Sequence, residues 1–219
     1  SIAKSLVEIE GSDEQILNLI SKILIPLAKG SDYETSGRGF FGLSVAVKKG
    51  QNFVNEDIFD SILLALDGHL FFQHETVSYN ETLFDGLFHL LKSLMKLNFF
   101  NEIQKLTPTI QNFLHSKSGG LRDFSLKFFG YHVSIPNGIQ FLDEKLVSEV
   151  LQIALEVDDG YASIEFLTKL TDTVPESVSD VSHKIIESIS SRLFQSSDGE
   201  ITIIKNEPIF IEKCVLLLQ

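Results

Sequence analysis

Apolar residues recur at three- and four-residue spacing through nearly the whole chain, and this restricts the fold more than any other feature. A stripe with that spacing covers one face of an α-helix and has to be buried against another helix. Only Glu200–Lys205, "EITIIK", has the β-branched run of a strand. It follows "SSDG" and stands alone, so it reads as an extended loop or as part of a two-stranded piece.

Capping residues place the helices. Ser12 and Gln15 have capping-box spacing, in which each side chain satisfies the other's free backbone donor. Ile16, Leu19, Ile20, Ile23, Leu24 and Leu27 then line one face, Pro26 kinks the last turn, and Gly30 ends it. A second helix spans Glu34–Lys49 and stops at Gly50. A third follows Asn55 and runs to Phe72, and a fourth follows Asn80. Next come "NFFNEIQKLTPTIQNFLHS", "GLRDFSLKFFGYHV", "DEKLVSEVLQIALEV" after Asp143, and "YASIEFLTKLTDTV". "ESVSDVSHKIIESISSRLF" and a helix starting near Pro208 complete the set. The first members of successive pairs begin near residues 13, 56, 99, 144 and 177. The intervals are about 43, 43, 45 and 33 residues, and about 40 to 47 is the period of HEAT and armadillo arrays.

The stretch Leu106–Val133, "LTPTIQNFLHSKSGGLRDFSLKFFGYHV", resembles one HEAT repeat without a gap. Pro108 stands where the family's first helix often carries proline, "HSKSGG" is the turn within the repeat, and Arg122 opens the second helix. Gly119 and Gly120 are expected to permit a sharp turn between the helices. Leu121, Phe124, Ser125 and Phe128 are expected to face the core, with Asp123 and Lys127 facing out. The resemblance gives Arg122 a structural task, reaching carbonyls or a carboxylate of the adjacent repeat. Leu151–Glu176, "LQIALEVDDGYASIEFLTKLTDTVPE", is similar to repeats of importin-β-type nuclear transport receptors, although no arginine opens its second helix. "IPLAKGSDYETSGRGFFGLSVAV" loosely resembles an armadillo or HEAT turn and second helix. The expected fold is therefore all-α, a right-handed α-solenoid of about five HEAT- or armadillo-like helical pairs. Residues 1–219 form a single solenoid segment in this reading. The final "FIEKCVLLLQ" lacks the polar face of a terminal repeat, so the segment is expected to belong to a longer repeat protein.

Composition narrows the function. The chain has 219 residues, 43% hydrophobic and 22% charged, as a folded core requires. The formal net charge is −12. A polyanion has to be met by clustered Lys and Arg, which are few and scattered here, so nucleic acid and anionic membranes are disfavoured as partners. No run reaches the length needed to cross a bilayer, so no membrane insertion is expected. Cys214 is the single cysteine and lies in an apolar stretch. A buried, unreactive thiol in a reducing compartment is its simplest reading, which implies an intracellular, cytoplasmic or nuclear protein. "NET" at Asn80–Thr82 matches a glycosylation acceptor, a triplet that also arises by chance.

Motifs for chemistry fail on context. "GRGFFG", Gly37–Gly42, matches the dinucleotide fingerprint literally but follows a helix rather than a strand. Close packing of the second helix, through Gly39 and Gly42, accounts for those glycines better. His69, His74, His89, His115, His132 and His183 show no metal-ligand spacing, and His89 and His132 fall at positions expected to face the core. "GLSVA" lacks the strand of a nucleophile elbow. The phenylalanines of "LFDGLFHLL" and "FSLKFF" read as core filling. No enzyme activity and no cofactor or metal is expected.

The leading function is a non-enzymatic scaffold that binds protein through the concave face of its second helices. Basic segments are the partners a net charge of −12 attracts, and a nuclear transport receptor is one version. The alternatives are a regulatory scaffold that positions a phosphatase or kinase, or a tubulin-binding array. The last is disfavoured because the tubulin-binding arrays carry an exposed tryptophan and this chain has none. Candidate partner-binding residues are Asp123, Lys127, Asp159, Glu165 and Asp172. Glu165 and Lys169 have the i, i+4 spacing of an ordinary surface pair. The long segments 72–80 and 194–208 are candidate binding loops.

Overall fold

The computed structural model describes residues 11–68, 79–156, 161–173, 184, 187, 194–197 and 200–203. The chain divides into two compact units, Ser1–Leu121 and Arg122–Gln219. Unit 1 starts with α1 (Asp13–Leu19), a π-helical segment (Ile20–Leu24) and α2 (Ile25–Ala28), and continues with α3 (Tyr33–Val47), α4 (Glu56–Leu66) and α5 (Glu81–Lys96). After these come α6 (Phe100–Gln104), α7 (Thr107–Leu114) and α8 (Gly119–Ser134), the last running across the unit boundary. Unit 2 continues with α9 (Glu144–Glu156), α10 (Tyr161–Thr173), β1 (Phe194–Ser197) and β2 (Glu200–Ile203). Successive first helices start at Asp13, Glu56, Phe100 and Glu144, so the repeat period read from the sequence is the period of the fold. Of the helix expected from residue 177, Lys184 and Glu187 are described and helical; the rest of it before Phe194, the helix expected near Pro208, and Cys214 lie outside the described residues.

Local chemistry sets the boundaries. The Ser12–Gln15 capping box is formed, with the Ser12 N–H donating to Gln15 Oε1 at 2.9 Å. Asn55 and Asn80 cap α4 and α5 by accepting the N–H groups of Ile58 and Leu83. Gly68 follows α4 with φ 72°, and Asn98 follows α5 with φ 66°, both left-handed endings. The helix after Asn55 therefore stops at Leu66, short of the expected Phe72. At Asn98 the Phe99 N–H returns to the Leu94 carbonyl and the Asn98 N–H to Met95, which closes the orphan carbonyls of α5.

Proline changes the first helix more than a kink. Pro26 has no N–H for the Lys22 carbonyl, and the chain answers with a π segment in which the Ile25 N–H donates to Ile20. One residue is gained in that turn, so the buried stripe becomes Ile16, Ile20, Leu24, Ile25 and Ala28. Ile23, expected in the core, is 43% exposed, and Leu19 and Leu27 are only half-buried. Proline also divides the helix expected over 98–116. Pro108 cannot serve the Gln104 carbonyl, the chain turns at Lys105–Leu106, and α7 restarts with Pro108 in its first turn.

Of the two expectations for Glu200–Lys205, an extended loop or part of a two-stranded piece, the second describes Glu200–Ile203: β1 and β2 pair antiparallel, with Phe194 opposite Ile203 and Ser197 opposite Glu200. Phe194, which the sequence reading assigned to a helix, begins β1.

Candidate functional site

The second helix of each pair carries the candidate surfaces. In unit 1 these are α3 and α5, which pack directly on each other. The residues of "SGRG", Ser36–Gly39, explain how closely they sit. The buried Ser36 hydroxyl donates to the Ala28 carbonyl at 2.5 Å. A Cβ on Gly39 would stand 2.7 Å from Ala28 Cα, so α3 lies on the backbone of α2. On the α5 side, a Cβ on Gly37 would overlap the Thr82 carbonyl, and one on Gly86 would reach within 2.9 Å of the Gly37 carbonyl carbon. Two helices meet backbone to backbone, which only glycine at both positions permits. The literal dinucleotide motif is thus part of a helix interior, with Gly37, Gly39 and Gly42 buried. Packing accounts for Gly39 as expected, and Gly37 shares that role.

This contact leaves a shallow groove of about 340 Å³ between the exposed sides of α3 and α5. Phe41 and His89 meet edge to face across it, with centroids 5.2 Å apart. His89 is exposed, which corrects its expected place in the core. Its position puts it on the α5 stripe with Thr82 and Asp85, whereas Leu83, Leu87 and Leu90 take the buried face. Partial desolvation, then the Lys92 and Lys48 ammonium groups, hold its imidazole below the ordinary value, with Asp85 opposing them. The Lys92 ammonium lies 5.2 Å from the centre of the Phe88 ring. Charge is graded along this face. Glu34, paired with Arg38, and Glu81 and Asp85 lie toward the helix N-termini, and Lys48, Lys92 and Lys96 toward the C-termini. Each end complements the helix dipole there.

In unit 2 the corresponding surface is on α8 and α10. Leu121 closes unit 1, while Phe124, Ser125 and Phe128 fall in unit 2; all four are buried as expected, and Asp123 and Lys127 are half-buried. Asp123 and Lys127 form an ion pair at 2.6 Å, as do Glu165 and Lys169. The Lys169 ammonium also lies 5.6 Å from the Tyr131 ring centre, which joins α8 to α10. Asp172 is exposed near the end of α10. The structure therefore brings Glu165, Lys169 and Tyr131 together, keeps Asp123 with Lys127, and leaves Asp172 at the helix end. Asp159 lies outside the described residues. The α3–α5 face was not among the sequence candidates. Its signal was available as small residues at Gly37 and Gly86, with Phe41 and Phe88 outside the apolar stripe.

One other sequence expectation changes here, and one holds. Gly119 and Gly120 belong to α8 and neither has a left-handed φ. Gly120 instead makes room for a ring: its Cβ would lie 2.8 Å from Tyr79 Cδ2 and nearer still to two other ring atoms. Tyr79 in turn stacks on Phe84 at 5.4 Å. His132 is fully buried as expected, beside Phe128 with centroids 5.8 Å apart. Burial depresses its pKa to about 4 against the opposing effect of backbone groups at Gly138 and His132.

Among the described residues, no group of three or more His, Cys, Asp or Glu side chains is placed to hold a metal ion. No helix among the described residues is long and apolar enough to cross a membrane.

Neither a family model nor a curated relative matches the sequence. Solved structures do match the fold. A designed armadillo repeat protein superposes with a TM-score of 0.56 at 12% identity, over 99% of this chain and 90% of its own. A crystal structure of an engineered protein gives a TM-score of 0.58 at 11% identity, over 99% of this chain and 88% of its own. The fold is an all-α, armadillo- or HEAT-like repeat of helix pairs.

Proposed function

We propose that this protein is a non-enzymatic scaffold that binds another protein through the exposed faces of its second helices. The observation that carries this reading is the α3–α5 surface. Two helices locked by backbone contact present Phe41 and His89 between an acidic and a basic end. Aromatic side chains on a rigid platform bind with little loss of conformational freedom, and graded charge fixes the orientation of what binds. The finer version is a receptor for basic segments, of nuclear-transport type and working in the cytoplasm or nucleus. Its support is the net charge of −12 and the acidic residues on α8 and α10.

The test uses a labelled lysine- and arginine-rich peptide and fluorescence anisotropy at low and moderate salt. Wild type is expected to bind it, and the variant Asp123→Lys, Glu165→Lys, Asp172→Lys to bind more weakly with a flatter salt dependence. Thermal melts of both proteins establish folding. Equal affinity in the folded triple variant would remove α8 and α10 as the receptor surface for basic segments.

A further inference from the structure

Unit 1 has a second groove that shares no lining residue with the α3–α5 surface. Helix α4 buries Ile58, Ile62, Ala65 and Leu66, yet its other side is not simply polar. Glu56, Phe59, Asp60 and Leu63 follow one another at i, i+3, i+4 and i+7, so acidic and large apolar side chains share one outward stripe. Leu63 is 39% exposed and Phe59 is half-buried. Across from them stand Phe99, at the start of α6, and Glu102 within it, and the Phe59 and Phe99 rings lie 6.0 Å apart. Together these residues line a groove of about 460 Å³, with the buried Leu106 among its lining residues. Its volume falls in the range of sites that take a side chain or a small ligand.

Charge identifies the occupant. Three carboxylates, Glu56, Asp60 and Glu102, line the groove, against one ammonium, Lys105. None of the three carboxylates is held in an ion pair among the described residues. An acidic apolar surface facing an acidic partner, or a second copy of a chain with net charge −12, would be repelled. A purely basic segment would leave Phe59, Leu63 and Phe99 against water, and a purely apolar one would leave the carboxylates without counter-charge.

We propose that the α4–α6 groove is a docking site for an amphipathic basic segment of a partner protein, with large apolar side chains seated between Phe59, Leu63 and Phe99 and flanking lysine or arginine on Glu56, Asp60 and Glu102. This site is separate from the second-helix surfaces and does not depend on them. A partner engaging both would gain avidity without tighter contact at either.

The experiment compares three labelled peptides on one alanine-based helical scaffold. One carries two leucines a helical turn apart flanked by four lysines, one replaces the leucines with serine, and one replaces the lysines with glutamate. The first is expected to bind at least about tenfold tighter than either control, a difference in reach of a few well-placed contacts. Leu63→Ser and Asp60→Lys, both at exposed positions, are each expected to weaken it by about fivefold or more with melting unchanged. The Asp123→Lys, Glu165→Lys, Asp172→Lys variant, which weakens lysine-bearing peptides through α8 and α10, is expected to leave the ratio of affinities between the leucine and serine peptides unaltered. Equal binding of the serine control, or loss of the leucine preference only in that triple variant, overturns the proposal. So does a concentration-dependent dimer in sedimentation that Leu63→Ser abolishes, since the groove would then hold a second copy.

Discussion

Acidification from about pH 7 to about pH 5 is expected to destabilise unit 2 through one side chain, His132. Its ring is fully buried beside Phe128 and its pKa is lowered from 6.5 to about 4 by burial. Above about pH 6.5 the imidazole is neutral in both the folded and the unfolded chain, and stability is complete. As pH falls below that value the unfolded chain takes up a proton that the folded chain refuses until about pH 4. Stability therefore falls with decreasing pH across that window and levels off beneath it. A gap of roughly 2.5 pH units amounts to roughly 3 kcal/mol in all, of which about 2 kcal/mol is lost by pH 5. Urea unfolding followed by circular dichroism, over a pH series, measures it in wild type and in His132→Leu. Leucine shifts the baseline stability but has no proton to bind, and the carboxylates and the other histidines act in both proteins alike. The wild-type curve should fall by about 2 kcal/mol more than the variant's between neutral pH and pH 5. Parallel curves would refute the assignment of a neutral, buried His132.

Two further outcomes follow from packing. Gly86→Ala should destabilise unit 1 by about 1 to 3 kcal/mol, because its Cβ meets the Gly37 backbone, which has no rotamer to yield; the neighbouring exposed Asp85→Ala should change the unfolding free energy from urea titration by less than about 0.5 kcal/mol. Phe128→Ala, at a fully buried ring, should lose about 3 to 5 kcal/mol, while Lys127→Ala, which breaks a solvent-accessible ion pair with Asp123, should lose less than about 1 kcal/mol in the same assay.

Helix positions were legible because their causes are local. Ser12 with Gln15, Asn55, Asn80 and Asp143 each act on backbone donors within three residues, so the sequence contains the whole interaction. Features that depend on departures from the 3.6-residue turn were not legible. A stripe drawn from Ile16 at regular spacing sends Ile23 inward, and only the π segment before Pro26 turns it out. Contacts between distant residues were hidden for another reason. Nothing near Gly120 announces that the Tyr79 ring lies on it, and a sharp turn was an equally good local account of two glycines. The candidate surfaces divide along the same line. Asp123 with Lys127 and Glu165 with Lys169 follow from i, i+4 spacing, whereas the seat of Lys169 on Tyr131 requires α8 and α10 to meet.

The Gly37–Gly86 contact also determines how unit 1 responds to force. Most helix interfaces deform by small rotamer changes that let one surface creep over the other. Here main-chain atoms bear on main-chain atoms, so creep between α3 and α5 would have to lift one carbonyl ridge over another. The joint is stiff in shear, and a load carried along this pair is passed on to softer side-chain interfaces elsewhere in the unit. A bound partner pulling on the α3–α5 face would move both helices as one strut, and strain would collect where they end, at Lys48–Gly50 after α3 and Asn98 after α5, rather than between them.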